Sequence, residues 1–461
     1  MTLLSFQAAA NTVYVDLTGT CAGNTPCVTT LQEAANTVTD PATILVFPGD
    51  YNDAVFFGPY QSLEIQAVDA SGNPAVGTVD LIGAGGRLVD PGAADRVSIR
   101  GVNASSGTSA FVIDGGSEVD ISDAVISSES RAGLQLSISE SGSRVQIQNV
   151  IVNDNAGSGI ELELEPEVEN AEFSITLLDV TANSNTRSGI EITDDDSPFI
   201  DSSIVNVTAF NVTAQDNEAG DGLRIDANNG TFRGDNIVAR RNSDDGVDIK
   251  NAQTLIITNS EATDNDNGQG DSGSDGFELE AFDITAVGLV ATGNVDGIQL
   301  EEFNFGNNNP PFGRALVGCI DVSGNRAAAI SAENMDASSS VRIRQSNIAA
   351  DNGLGVILRG DSTADATVSA TGNWWGTASG PTHLNNPGGT GAVVADGINV
   401  VDDSTGTIAF GGFVAAELDT GANCVDGLLG PVQVPTMNRL GLVLLIGLIM
   451  LIGFAVVSRQ V

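Results

Sequence analysis

The sequence predicts an all-β solenoid of short parallel strands wound into stacked coils, and three observations predict it. One pattern recurs through the middle of the chain: a small or β-branched residue, two further residues, an Asn, a polar turn, and then a Gly that opens an alternating segment. Its copies contain Asn155, Asn185, Asn217, Asn242, Asn265, Asn294, Asn325, Asn352 and Asn373, spaced 21 to 32 residues apart, and such a period marks a repeat architecture. The segments that follow (159–162, 189–192, 222–225, 246–249, 276–279 and 297–300) alternate aliphatic and polar residues, the period of a half-buried strand. Only 5% of residues are aromatic while Gly reaches 54 of 461, so small and aliphatic side chains must fill the interior.

A lone coil cannot bury the apolar side of its strand. Stacked at about 4.8 Å, successive coils give one continuous column, in which Ile160, Ile190, Leu223 and Val247 should lie over one another. Each Gly is expected to supply backbone freedom at the turn into its strand. Each Asn is expected to fit the preceding corner by adopting left-handed geometry and bonding its own backbone. Outside the column, Glu161, Glu191, Arg224, Asp248, Glu278 and Gln299 should form one row, and Glu163, Lys250, Glu280 and Glu301 a parallel one. A solvated face is the simple expectation for these rows; the sharper one is a divalent-cation surface.

The first coil needs a cover, because an open end could pair with another chain. Thr30 followed by Glu33 reads as a capping box that opens an amphipathic helix with Leu31, Ala34, Ala35 and Val38 on its apolar side. At the far end, Trp374 and Trp375 are expected to pack beneath the last coil.

The A-x-x-N and G-[I/L/V]-x-[I/L] pattern resembles the right-handed parallel β-helix repeat of pectin-lyase-like proteins. Residues 31–35 with 44–51 are similar to the opening of that family, and residues 373–376 with 379–381 to a closing segment common in it. The resemblance runs from Asn11 to about Val414 and implies a single-stranded right-handed parallel β-helix. The chain then divides into a signal-peptide remnant or disordered N-terminus (1–10), an N-terminal cap (11–43), the β-helix (44–417), a spacer (418–433) and a tail (434–461).

The tail contains residues 440–457, which carry no charge and as a helix would reach about 27 Å, enough to cross a bilayer. Val434, Pro435, Thr436 and Met437 precede it. This arrangement resembles the IPTL-type sorting signal of Gram-negative surface proteins, with Met437 in place of the usual Leu. The resemblance implies processing by an exosortase-like enzyme, a transmembrane helix before processing, and delivery to the cell surface. Cys21 and Cys27 enclose a short loop and Cys319 and Cys424 are the other available pair; an even count in an exported chain favours disulfides.

Against 60 acidic residues stand 18 basic ones, a net charge of −42. Nucleic acid is excluded as a partner, and an acidic polysaccharide could approach only through cations or a local basic patch. With four Cys and one His, a metal would be held by oxygen. The calcium candidate is the loop bearing Asp264, Asp266, Asp271 and Asp275. Phe303, Phe305 and Phe312, among amides in the 303–313 insertion, form the candidate ligand-contact loop.

The segment 244–250 (DDGVDIK) resembles the paired-aspartate segment of polygalacturonases, in which one carboxylic acid and further carboxylates activate water across a glycosidic bond. That family also carries a Gly-His-Gly segment and an Asn-Thr-Asp motif, and neither occurs here, so 244–250 is expected to be a polar turn. Arg224, Arg240 and Arg241, a grouping that could stabilise a lyase intermediate, stand among acids that would neutralise them. No catalytic residue is therefore assigned. The function expected is that of an exported surface rod, not an enzyme, with a structural, adhesive or glycan- and matrix-binding role or one in self-assembly; the alternative is a polysaccharide lyase, hydrolase or epimerase on the same fold.

Overall fold

The computed structural model describes residues 10–428 apart from 53–54, 57–60, 84–88, 91–94, 195–201, 266–272, 302–312, 336–338, 360–365, 396–405, 422–423 and 426–427. The described residues hold 35 strands, and every ladder between two of these strands is parallel. Each coil carries three strand positions. The first follows the repeat Gly, as in Ile160–Leu164 and Ile190–Asp194. The second and third share a long strand such as Glu172–Asn183, bent by a left-handed residue, here Asp179.

The register builds the column. Leu134, Ile160, Ile190, Leu223, Val247, Phe277, Ile298, Ile330, Val356 and Val394 are successive partners, and none of them exposes any surface. Burial of each stabilises the fold by roughly 1.5–3 kcal/mol before conformational entropy is counted.

Two repeat residues act otherwise than expected. The ladder asparagines do not adopt the left-handed conformation; the residues just before them do, namely Asp154, Ser184, Asp216, Arg241 and Asp264. That turn sends the Asn side chain inward, where it bridges coils. Asn217 Oδ1 accepts from the backbone N–H and side-chain amide of Asn185 at 3.1 and 3.2 Å, while Asn217 Nδ2 donates to Asn242 Oδ1 at 2.8 Å. The same linkage runs from Asn155 to Asn352, so buried amides are satisfied at every step.

Nor do the repeat glycines have positive φ. They are needed for space: a Cβ on Gly246 would lie 2.6 Å from the carbonyl oxygen of Gly276 and 2.7 Å from Asn265 Nδ2. Gly159, Gly189, Gly222 and Gly276 meet the same pair of groups.

At the start, the helix Leu31–Thr37 (α1) buries Leu31, Ala34 and Ala35. The Thr30 side chain accepts from the Glu33 N–H, and the Glu33 carboxylate accepts from the N–H of Thr29, a capping box displaced by one residue. Coil stacking begins ahead of α1, since Ala10–Val15 already pairs with Val38–Val46. At the end Trp375 is fully buried and His383 packs edge-on against Phe410. Cys21 is bonded to Cys27, and Cys319 to Cys424. No helix among the described residues is long and apolar enough to cross a membrane. The 440–457 segment and Val434, Pro435, Thr436 and Met437 lie outside the described residues.

Candidate acid–base site

The outward row is formed as read: Glu161 partners Glu191, then Arg224, Asp248, Glu278 and Gln299 follow in register. In the parallel row the partners are Glu163 with Thr193, Asp226 with Lys250, and Glu280 with Glu301. An irregularity after Ile249 breaks the register between Lys250 and Glu280.

The solvated face does not hold for the middle of this row. Asp248 exposes 2% of its surface and Asp245 5%. Nor is 244–250 a plain polar turn, because the residue before the repeat Gly is aspartate in four successive coils: Asp221, Asp245, Asp275 and Asp296, all buried. Asp221 Oδ1 accepts the N–H of Asp245 at 3.0 Å, Asp245 Oδ1 that of Asp275, and Asp275 Oδ1 that of Asp296 at 3.0 Å. Ser158 and Ser188 occupy the position in earlier coils, and Ala328 is the register partner of Asp296 in the next.

Burial and mutual repulsion push Asp221, Asp245, Asp275 and the neighbouring Asp248 up. Asp221 rises to about 6, through burial and then Asp244. Asp275 rises to about 8, through burial and then Asp296. Asp245 is raised well above the carboxylate range by burial, Asp221 and Asp275, and Asp248 by burial and Glu278. Asp275 therefore keeps its proton near pH 7, whereas Asp221 has largely lost its own.

Cations flank it. Lys250 Nζ lies 3.1 Å from Asp248 Oδ2 and 3.6 Å from Glu278, and Arg224 Nε lies 3.9 Å from Asp248 Oδ2. Although burial opposes it, Asp248 and Glu278 hold Lys250 firmly in the charged state. Asp248 Oδ1 and Arg224 Nε make no hydrogen bond. Arg359 reaches across two coils to pair with Asp296 and also meets Glu333 at 3.4 Å. Arg240 and Arg241 stand apart, paired with Glu261 and Asp216.

Two sets of carboxylate oxygens lie within 4.8 Å of one another: Asp221 with Asp244 and Asp245, and Asp245 with Asp248 and Glu278. Either offers hard oxygen donors of the type calcium takes, but Lys250 already occupies the second. Within the sequence-derived calcium set, Asp275 belongs to the buried column and Asp264 is an exposed, left-handed corner residue. Asp266 and Asp271, with Phe303, Phe305 and Phe312, lie outside the described residues.

No protein-family model matches the sequence, and neither does any curated protein. Solved structures are similar in shape at low identity. The A-module of a mannuronan C-5 epimerase from Azotobacter vinelandii is 13% identical with a TM-score of 0.46, the likeness covering 81% of this chain and 91% of that one. A periplasmic alginate epimerase is 12% identical with a TM-score of 0.34, over 81% and 77% of the two chains. A pectate lyase is 15% identical with a TM-score of 0.33, over 77% and 79%. Likeness this distant leaves the chemistry to be argued from this chain's own residues.

Proposed function

We propose that the protein is an exported β-helix enzyme that hydrolyses glycosidic bonds of a polysaccharide laid across the aspartate column. One observation carries the proposal: four stacked aspartates are buried at a coil position where Ser158, Ser188 and Ala328 serve the fold equally well. Buried carboxyls destabilise a fold unless something else retains them. Burial, Asp221 and Asp275 push the Asp245 carboxyl well above the carboxylate range, which suits it to act as the acid toward the leaving oxygen. Asp244 is exposed beside it, with carboxylate oxygens within 4.8 Å, a closeness that suits the two-step route: Asp244 attacks the anomeric carbon as the leaving oxygen takes the Asp245 proton, and water, giving its proton to Asp245, then releases the sugar from Asp244. Proton abstraction beside a uronate would need a cation to spare for the developing anion; Lys250 is paired with Asp248 and Glu278, and the charge of Arg224 faces Asp248 at 3.9 Å, which favours hydrolysis over elimination.

Two disulfides and no free cysteine among the described residues fit an oxidising compartment. Surface display through the sorting-type tail is the location we propose with it. The test is release of new reducing ends from a panel of neutral and acidic glycans by the full chain and by Asp245→Asn. Release abolished by the substitution supports the proposal; no release from any glycan returns the chain to a non-catalytic surface rod, and equal release by both proteins overturns the role of Asp245.

A further inference from the structure

We propose that the outward side of the second strand position, over the last coils, binds a carboxylate-bearing glycan through Arg342 and Arg344. Both lie exposed on the strand Ser340–Arg344, two residues apart and so on one side of it. Neither has an ion-pair partner among the described residues. They line two adjoining grooves of about 570 and 440 Å³ that share Ser340, Arg342 and Arg344. Hydroxyls of Thr367, Ser369 and Thr371 line the second groove. Arg314, in the strand one coil earlier, lies in the first, 3.1 Å from Asp283.

With 60 acids for 18 bases, many guanidinium groups here are taken, among them Arg96 by Glu118, Arg100 by Asp120, Arg240 by Glu261, Arg241 by Asp216 and Arg359 by Asp296. Two unpaired arginines side by side are therefore a local basic patch on an acidic molecule. The row extends further, since Arg233, Ile256, Thr285, Leu316 and Arg342 are successive register partners. Exposed Arg233 thus stands four coils, on the order of 19 Å, from Arg342. That distance suits an extended chain better than a single ion.

Guanidinium forks match carboxylates in a bidentate way, and a hydroxyl-lined groove suits a polyol. Neither groove has an aromatic lining residue on which a base could stack, and the net charge opposes a densely charged polyanion. A glycan with spaced carboxylates is what remains. This site occupies a different strand position from the aspartate column and does not depend on it.

The full chain would be titrated calorimetrically with short uronic-acid oligosaccharides, size-matched neutral oligosaccharides and single-stranded DNA. The expected result is binding of the uronates alone, weakened at least tenfold in Arg342→Gln/Arg344→Gln with an unchanged melting temperature, and unaffected by Asp245→Asn. Absence of uronate binding, equal affinity in the double variant, or equal binding of neutral sugars or DNA would overturn it.

Discussion

The carboxylate of Asp245 accepts the backbone N–H of Asp275, one coil further along, at 2.5 Å. The contact joins two carboxyls that both prefer to be protonated in the fold. Stability should therefore depend on pH in a direction opposite to that of an ordinary salt-bridged acid. In the unfolded chain an aspartate loses its proton near 3.8; in the fold Asp221 keeps it to about 6 and Asp275 to about 8. The folded state binds more protons across that window, so stability falls as pH rises from about 4 to about 8. Thermal melts across this range should show Asp275→Asn with a flatter slope and a higher midpoint at pH 8 than the parent; parallel slopes would contradict the buried protons.

Glu129 gives a second, separate pH effect. It sits below Asn155, whose Oδ1 accepts its N–H, and both of its buried carboxyl oxygens lack hydrogen bonds. Burial pushes it up to about 7 from 4.5, so its contribution to stability also declines as pH rises between those values. Glu129→Gln should melt higher than the parent at pH 8 and little differently at pH 4. A lower midpoint at pH 8 would show that the ionised form is stabilised after all.

The repeat glycines make a steric prediction. Gly246→Ala would place a methyl group against the Gly276 carbonyl and the Asn265 amide, forcing adjacent coils apart at a cost of about 1–3 kcal/mol. Gly273→Ala is the control, because nothing lies within 4 Å of a Cβ there. Denaturant midpoints should drop for the first and stay within error for the second.

The coil repeat was legible because period two and the Asn spacing report directly on strand and turn, and the outward row from Glu161 to Gln299 follows from it. The acid site was not. Asp245 and Asp248 look like surface charges because alternation says which side of a strand a residue takes, not whether neighbouring coils cover it. Asp221, Asp275 and Asp296 lie at varying distances from their ladder asparagines, so no fixed spacing announces them as a column. The asparagine and glycine roles were misassigned for a related reason: both depend on the next coil, some 25 residues away, and not on the local turn.

The second disulfide closes a sequence separation of 105 residues, a loop for which chain entropy suggests about 4–5 kcal/mol as an upper figure. It also holds Val425 and Leu428 against Val287 and Cys319. Cys319→Ser/Cys424→Ser should lower the melting midpoint and open the chain to proteolysis after residue 418; an unchanged cleavage pattern would mean that packing alone holds this segment.

Protonation of the aspartate column can be read directly by infrared difference spectroscopy at pH 7 between the parent and Asp221→Asn, Asp245→Asn and Asp275→Asn. Protonated carboxyl bands present in the parent and diminished by the Asp245 and Asp275 substitutions are the expected result. A parent spectrum in which every carboxyl is ionised at pH 7 would contradict the buried acid on which the proposed chemistry depends.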